Sequence, residues 1–123
     1  MASFSKQLLS GSTRGKPILV VATATAGTVI HATGVSATII DEIWLVAFNS
    51  DTVDRTLTIE FGGVSDPGDL IVKVITIPAR TVGVVVVSGQ PLVGTGAAAS
   101  TVAAFASAAS VITISGFVNR ITP

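Results

Sequence analysis

From Ile18 onward, β-branched residues recur through the chain in short runs separated by turn formers. Val, Ile and Thr suit a β-sheet because their branched side chains pack well on a pleated surface. Turn-forming residues such as Asp66-Pro-Gly-Asp69 and the prolines interrupt these runs. The pattern predicts eight strands, at residues 18–24, 28–33, 41–49, 55–62, 70–77, 82–88, 100–106 and 110–118.

Evenly spaced short strands with turns between them are typical of two packed antiparallel sheets. The sequence therefore predicts an all-β fold, a single-domain antiparallel β-sandwich that is jelly-roll-like, over residues 18–123. A length of 123 residues suits one such domain. Leu57 and Ile59 alternate with Thr58 and Glu60, which is typical of a strand with one face in the core and one face in water.

Residues 1–17 lack the strand pattern, and the sequence predicts that they form an extended N-terminal arm outside the sandwich. The second half of this segment is rich in turn formers. Such a segment is either a disordered terminus or an arm that lies across a neighbouring subunit. In the second case, the contacts would come from its apolar and basic side chains, Phe4, Leu8, Leu9, Arg14 and Lys16.

The Ala-rich segment at residues 96–109 allows two interpretations. Alanine is the best helix former, which favours a short helix. Thr101, Val102 and the β-branched run that follows favour a strand. We adopt the strand at residues 100–106 as the prediction.

Charged residues are scarce, with 7 basic and 7 acidic side chains that make up 11% of the chain, while 49% of the residues are hydrophobic. A soluble surface normally carries about 25–35% charged residues. The chain therefore either enters a membrane or buries much of its outside against protein. The longest dense apolar stretch, Val82 to Val87, is interrupted by a glycine and is far shorter than the roughly 20 residues of a spanning helix. The composition thus predicts a homo-oligomer and no membrane partner.

Two predicted strands are apolar on both faces. Ile43, Leu45 and Ala47 share one face of their strand, and Trp44, Val46 and Phe48 share the other. Each sheet of a two-layer sandwich has one face toward water, so a second apolar face indicates a subunit interface. The alternative is a central strand covered by loops. The predicted interface residues are Trp44, Val46, Phe48, Val84, Val85, Val86 and Val87, with Trp44 as the anchor.

Few residues in the sequence suggest catalysis or metal binding. His31 is the single histidine and cysteine is absent, which leaves no metal pair, thiolate or disulfide. Asp51, Asp54, Asp66 and Asp69 occur in turns, where aspartate is common for its own hydrogen bonds. The net charge is zero, so nothing indicates a nucleic-acid partner. The sequence predicts a protein that is not an enzyme and needs no cofactor.

A set of short motifs occurs in a fixed order along the chain: Thr28-Val-Ile-His-Ala, Asp41-Glu-Ile-Trp-Leu, Leu57-Thr-Ile-Glu-Phe-Gly-Gly, Asp69-Leu-Ile, Ile75-Thr-Ile-Pro, Ala103-Ala-Phe-Ala and Gly116-Phe-Val-Asn-Arg-Ile. In this order and spacing they resemble a group of small virion structural proteins of tailed bacteriophages, and the resemblance spans about residues 4–121. Such proteins are similar to capsid decoration (cement) proteins, which brace capsid subunits on the head.

The resemblance implies a homo-oligomer, with a trimer favoured and a dimer possible, bound to the major capsid protein. The N-terminal arm, with Phe4, Leu8, Leu9, Arg14 and Lys16, is then the predicted capsid-binding segment. It also implies synthesis in the host bacterial cytoplasm and a final location on the capsid surface of the virion. A tail, neck or fibre-base component is the alternative within the same class. A carbohydrate- or receptor-binding β-sandwich module is the alternative from another class.

Overall fold

The computed structural model describes residues 2–80 and 83–123, and across these ranges the regular structure consists of β-strands without a helix. The all-β prediction is confirmed. The strands are β1 (Ser3–Leu8), β2 (Ile18–Val20), β3 (Thr28–Ala32), β4 (Ile40–Asn49), β5 (Arg55–Phe61), β6 (Leu70–Ile77), β7 (Val84–Leu92), β8 (Thr101–Ala106) and β9 (Ile112–Thr122).

The strands form two antiparallel sheets. In the first sheet, β1 and β2 both pair with β9, which is followed by β4 and then β7. The second sheet has the order β3-β8-β5-β6. The eight strands from β2 to β9 form nested pairs. The outermost pair is β2 with β9, followed by β3 with β8, β4 with β7 and, innermost, β5 with β6.

The core lies between the two sheets and is aliphatic. Alternate residues of each central strand point into it, among them Ile43 and Leu45 of β4, Ile59 of β5 and Ile114 of β9, all fully buried. No aromatic residue belongs to the buried core of the described chain. The alternation predicted for residues 41–49 is confirmed, since the burial along β4 changes at every residue.

The Ala-rich segment forms β8, so the strand interpretation was right. Val102, Ala104 and Ala106 point into the core and are at most 2% exposed. β8 lies between β3 and β5, and its backbone hydrogen bonds to both neighbours outweigh the helix preference of alanine.

Residues near the N-terminus belong to the first sheet rather than to a separate arm. Ser3–Leu8 forms β1, which pairs along its whole length with the C-terminal half of β9. The following residue, Leu9, is 2% exposed in the core. The sequence did not predict β1 because Ser, Lys and Gln dominate it, and the hydrogen bonds that define it come from β9 at the other end of the chain. Met1 lies outside the described residues.

Strand β7 is longer at its C-terminal end than predicted, because two β-bulges carry it past Gly89 to Leu92. Pro91, which was expected to end the strand, fits because β7 is an edge strand and its outer side needs no hydrogen bond. The predicted start at Val82 lies outside the described residues. Two other strands of this sheet differ in length from the predicted ones. β9 extends to Thr122 rather than ending at residue 118, and β2 covers only Ile18–Val20 rather than residues 18–24.

Gly116 sets the spacing of the two central strands of the first sheet. It pairs with Leu45, and a Cβ atom at this position would lie 3.0 Å from the carbonyl carbon of Trp44 and even closer to its oxygen. These neighbours are backbone atoms that cannot rotate away. Any side chain at position 116 therefore pushes β4 and β9 apart.

We expect Gly116→Ala to lower the free energy of unfolding by about 2 kcal/mol, because overpacking against fixed backbone strains the ladder. Urea denaturation followed by circular dichroism measures this loss. Gly34→Ala is the matched control, since a Cβ atom there meets nothing within 4 Å. Equal stability of the two variants would contradict the close approach of β4 and β9.

Candidate interaction surface

The outward side of β4 carries large apolar side chains. Trp44, Val46 and Phe48 alternate with the buried residues of the strand and are each half-buried. This is the face on which the sequence predicted them. Their neighbours across the sheet are fixed by the antiparallel register, which places paired residues on the same side.

That register assembles a continuous apolar surface. Trp44 lies opposite Phe117, which in turn lies opposite Leu8 of β1. Val46 lies opposite Val85 of β7. We call this surface the outer face; its apolar residues are Phe4, Leu8, Leu19, Ile40, Trp44, Val46, Phe48, Val85, Phe117 and Ile121.

The aromatic centre of the outer face is held in place by its own contacts. The rings of Trp44 and Phe117 stack with centroids 6.3 Å apart and planes inclined by 14°. The ammonium group of Lys6 lies 4.4 Å from the centroid of the Phe117 ring, a cation–π contact. The indole N–H of Trp44 donates to Glu42 at 3.0 Å. Lys6 and Glu42 thus contact the two rings, which are each half-buried.

Several apolar side chains of the outer face are largely in water. Phe4 is 73% exposed, Val85 63% and Leu8 58%. The outward side of the second sheet is more mixed, because Thr56, Thr76 and Thr101 lie there beside the exposed valines Val29 and Val74. A contiguous exposed apolar patch is a mark of a protein-binding surface. The outer face is therefore the strongest candidate interaction surface among the described residues.

The structure corrects part of the predicted interface. Val85 points outward, but Val84 and Val86 pack partly against the core and Val87 is 5% exposed within it. The reason is the β-bulge between Val85 and Val87, which oppose the adjacent residues Val46 and Leu45. The extra residue reverses the alternation, so Val87 follows Leu45 into the core.

The residues predicted for a capsid-binding arm are divided between three environments. Phe4 and Leu8 lie at the β1 edge of the outer face, and Leu9 is buried in the core and unavailable to a partner. Arg14 and Lys16 are exposed in the loop between β1 and β2. Of this set, only the four exposed side chains can contact another protein.

A buried charged network was missed by the sequence analysis. His31 of β3 and Asp41 of β4 are 1% and 2% exposed, and their Nε2 and Oδ2 atoms are 2.7 Å apart. Arg120 of β9 donates to both oxygens of Asp41, at 2.8 and 3.0 Å. The backbone N–H of Ser10 donates to Nδ1 of His31 at 3.0 Å. The network joins the two sheets and the segment after β1.

The electrostatics of Asp41 follow from these contacts. Burial opposes its charged form, but the hydrogen bonds from Arg120 and His31 together outweigh burial and hold the pKa of Asp41 below its ordinary value. Both ring nitrogens of His31 are occupied, one by Ser10 and one by Asp41, so the imidazole is placed to support the fold rather than to act as a base. Pairing between residues ten positions apart on different sheets gives no periodic signal in a sequence.

The acidic residues of the turns make local contacts. Asp51 forms an ion pair with Arg55 at 2.7 Å, and Asp66 forms one with Lys73 at 3.0 Å. Asp69 accepts a hydrogen bond from the backbone of Ser65. Within residues 2–80 and 83–123, no group of three or more His or acidic residues could hold a metal ion, and no helix could cross a membrane.

Comparison with protein-family models, with curated proteins and with solved structures gave no match. The geometry of the chain itself is thus the basis for a functional proposal.

Replacing Asp41 with Asn leaves buried His31 and partly solvated Arg120 without their anion. We expect a loss of about 3 kcal/mol at neutral pH, the lower end for a broken buried pair. Because the fold lowers the pKa of Asp41, its contribution is present above the unfolded value of 3.8 and disappears as the pH falls through the folded value. The stability difference between the wild type and Asp41→Asn should therefore shrink in acid.

Urea denaturation at a series of pH values down to about 3 tests this expectation. Asp54→Asn serves as the control, because Asp54 is exposed and the hydrogen bond that it accepts from the backbone N–H of Ala79 can be kept by an amide oxygen. A stability difference for Asp41→Asn that stayed constant with pH would contradict the role of the charged network.

Proposed function

We propose that this protein is a structural component of a bacteriophage virion, a capsid decoration protein that forms a homo-oligomer and braces capsid subunits on the head. The observation that carries the proposal is the apolar outer face of the first sheet. A rigid aromatic centre with exposed aliphatic neighbours is the kind of surface that drives permanent association between protein subunits. The proposed occupant of the outer face is a second copy of the same chain.

The scarcity of surface charge supports self-association. The chain exposes 6292 Å², close to the roughly 6,000 Å² expected of an isolated folded monomer of its mass. Two of its fourteen charged residues, Asp41 and Glu60, are buried, which leaves twelve for that entire area. Covering the outer face removes its exposed aromatic and aliphatic side chains from water and leaves the second sheet toward solvent.

The strand order supports a jelly roll as the finer description of the sandwich. Pairing β2 with β9, β3 with β8, β4 with β7 and β5 with β6 is the pattern of one long hairpin rolled into two sheets. Jelly rolls are common in viral capsid proteins and also occur in lectins and cupins. The fold is therefore compatible with a virion protein. Among capsid proteins, lectins and cupins, we favour a virion protein because of the apolar outer face.

Closed rotational symmetry is the usual arrangement of identical subunits, and we propose a trimer, with a dimer as the alternative. The major capsid protein would be contacted by groups outside the homo-oligomer interface. Arg14 and Lys16 are exposed basic side chains in a loop, suited to a partner of opposite charge. Several weak attachments from one oligomer would add to firm binding through multivalency.

We expect Val85→Lys to dissociate the oligomer, because it places an ammonium group within the apolar interface. Size-exclusion chromatography with light scattering should give a multiple of 12.3 kDa for the wild type and about 12.3 kDa for the variant. Val53→Lys, which changes a valine 49% exposed in a turn, is the control and should keep the wild-type mass.

The single tryptophan reports on the same event. Trp44 lies at the centre of the outer face, so its fluorescence should shift to longer wavelength when Val85→Lys exposes it to water. A monomeric wild type at high concentration would overturn self-association. An unchanged mass for Val85→Lys would overturn the outer face as the interface.

The double variant Arg14→Gln, Lys16→Gln should remain oligomeric but bind shells of the major capsid protein less tightly, because it loses two positive charges outside the interface. Co-sedimentation with capsid shells measures binding. Lys73→Gln is the matched control, a change of one exposed lysine on the other sheet. Full shell binding by the double variant would remove this loop from the capsid contact.

A further inference from the structure

A pocket of about 330 Å³ opens on the outward side of the second sheet, the sheet away from the proposed oligomer interface. The register places Glu60 of β5, Ala103 of β8 and Val29 of β3 side by side across this sheet. The single methyl group of Ala103 leaves a hollow between its longer neighbours. Loops at Gly27 and Gly63 provide walls around that hollow.

Glu60 lines this pocket and is only 1% exposed. Its Oε1 atom accepts a hydrogen bond from the backbone N–H of Gly27 at 3.0 Å. Gly27 can approach so closely because it has no side chain; a Cβ atom there would lie 2.5 Å from the backbone of Ala104. The other oxygen, Oε2, is buried and has no hydrogen-bond partner among the described residues.

An unpaired buried acceptor is uncommon in folded proteins, because it has lost its hydration without gaining a donor. None of the residues that line the pocket is Lys, Arg or His, so no cation of the lining itself faces Glu60. A ligand that donates a hydrogen bond and carries a positive charge complements this carboxylate. An anion would be repelled.

The remaining lining limits the kind of cation. Calcium needs six to eight oxygen ligands, and Glu60 is the only carboxylate in the lining. The walls are mainly Gly, Ala and Val, which suit an alkyl chain, and Ser100 and Thr101 add hydroxyl groups to the lining. An ammonium group on a short alkyl chain matches both features, because it offers three N–H donors and an apolar stem.

We propose that this pocket binds a primary alkylammonium group, the chemistry found at the end of a lysine side chain. On binding, the Glu60 carboxylate turns its unpaired Oε2 atom toward the pocket and accepts a hydrogen bond from the ammonium group, while the alkyl stem lies over Ala103 against Val29. The site is separate from the outer face, so it does not depend on the proposed oligomer.

Titration with n-butylammonium chloride tests the proposal on the full-length protein. The ¹⁵N–¹H signals of Gly27 and Gly63 should shift and saturate in roughly the millimolar range, because so small a ligand offers few contacts. Sodium butyrate, which has a similar chain and the opposite charge, should produce no saturating shift. The absence of a saturating shift with butylammonium would overturn the proposal.

Two variants test the two halves of the site. Glu60→Gln keeps the size of the side chain and removes its charge, and we expect binding at least tenfold weaker, as for a lost hydrogen bond between charged groups. Ala103→Leu fills the hollow and should abolish binding while Glu60 is intact. Asp54→Asn, which changes an exposed carboxylate outside both the pocket lining and the outer face, is the control and should bind as the wild type does.

Dispersed amide signals establish that each variant is folded. If Glu60→Gln does not fold, the binding measured for Ala103→Leu tests the proposal. Wild-type affinity in both folded pocket variants would overturn the proposal. Nα-acetyl-lysine methylamide separates the two sources of the ligand. Binding of this compound as tight as that of butylammonium assigns the pocket to a lysine of a partner protein, whereas binding of butylammonium alone assigns it to a free amine.

Discussion

The ladder between β4 and β9 is the interaction on which the rest of the structure depends. It joins residues Ile40–Asn49 to the C-terminal strand at ten successive positions, and Gly116 allows the two backbones to approach closely. Because side chains alternate along a strand, this ladder positions residues on both faces of the sheet. Its inner side chains form the middle of the aliphatic core, and its outer ones form the aromatic centre of the outer face.

The separation of aliphatic and aromatic residues is the second general feature. The buried core is built from Ile, Leu, Val and Ala, while Trp44 and Phe117 stack on the outside of the sheet. Large rings placed outside the core contribute little to the packing of the monomer and are free to form contacts with another chain. This arrangement fits a protein whose association is a separate step from the packing of its own sheets.

The local sequence pattern was enough to predict most of the strands, because side-chain alternation and turn formation depend on residues that are close together in the sequence. Residues 41–49 show this directly, and Trp44, Val46 and Phe48 lie on the predicted side. For residues 55–62 the strand was right but its water-facing side was wrong, because Thr58 and Glu60 are 5% and 1% exposed. The bulges of β7 were not predictable, since they depend on the partner strand, and they carried Val87 into the core. The same holds for β1, for the pairing of His31 with Asp41, and for the burial of Glu60 beneath distant loops.

The nested pairing of strands β2 to β9 has a consequence for the order in which the protein is built. The hairpin of β5 and β6 closes a short loop, whereas β2 meets β9 only after nearly the whole chain has been brought together. Closing a longer loop costs more entropy, so pairing is expected to proceed outward from the middle of the sequence. The aromatic patch needs the last strand for its completion. A chain that has not finished folding therefore lacks the surface on which the proposed oligomer would form, so in that proposal only fully folded subunits would assemble.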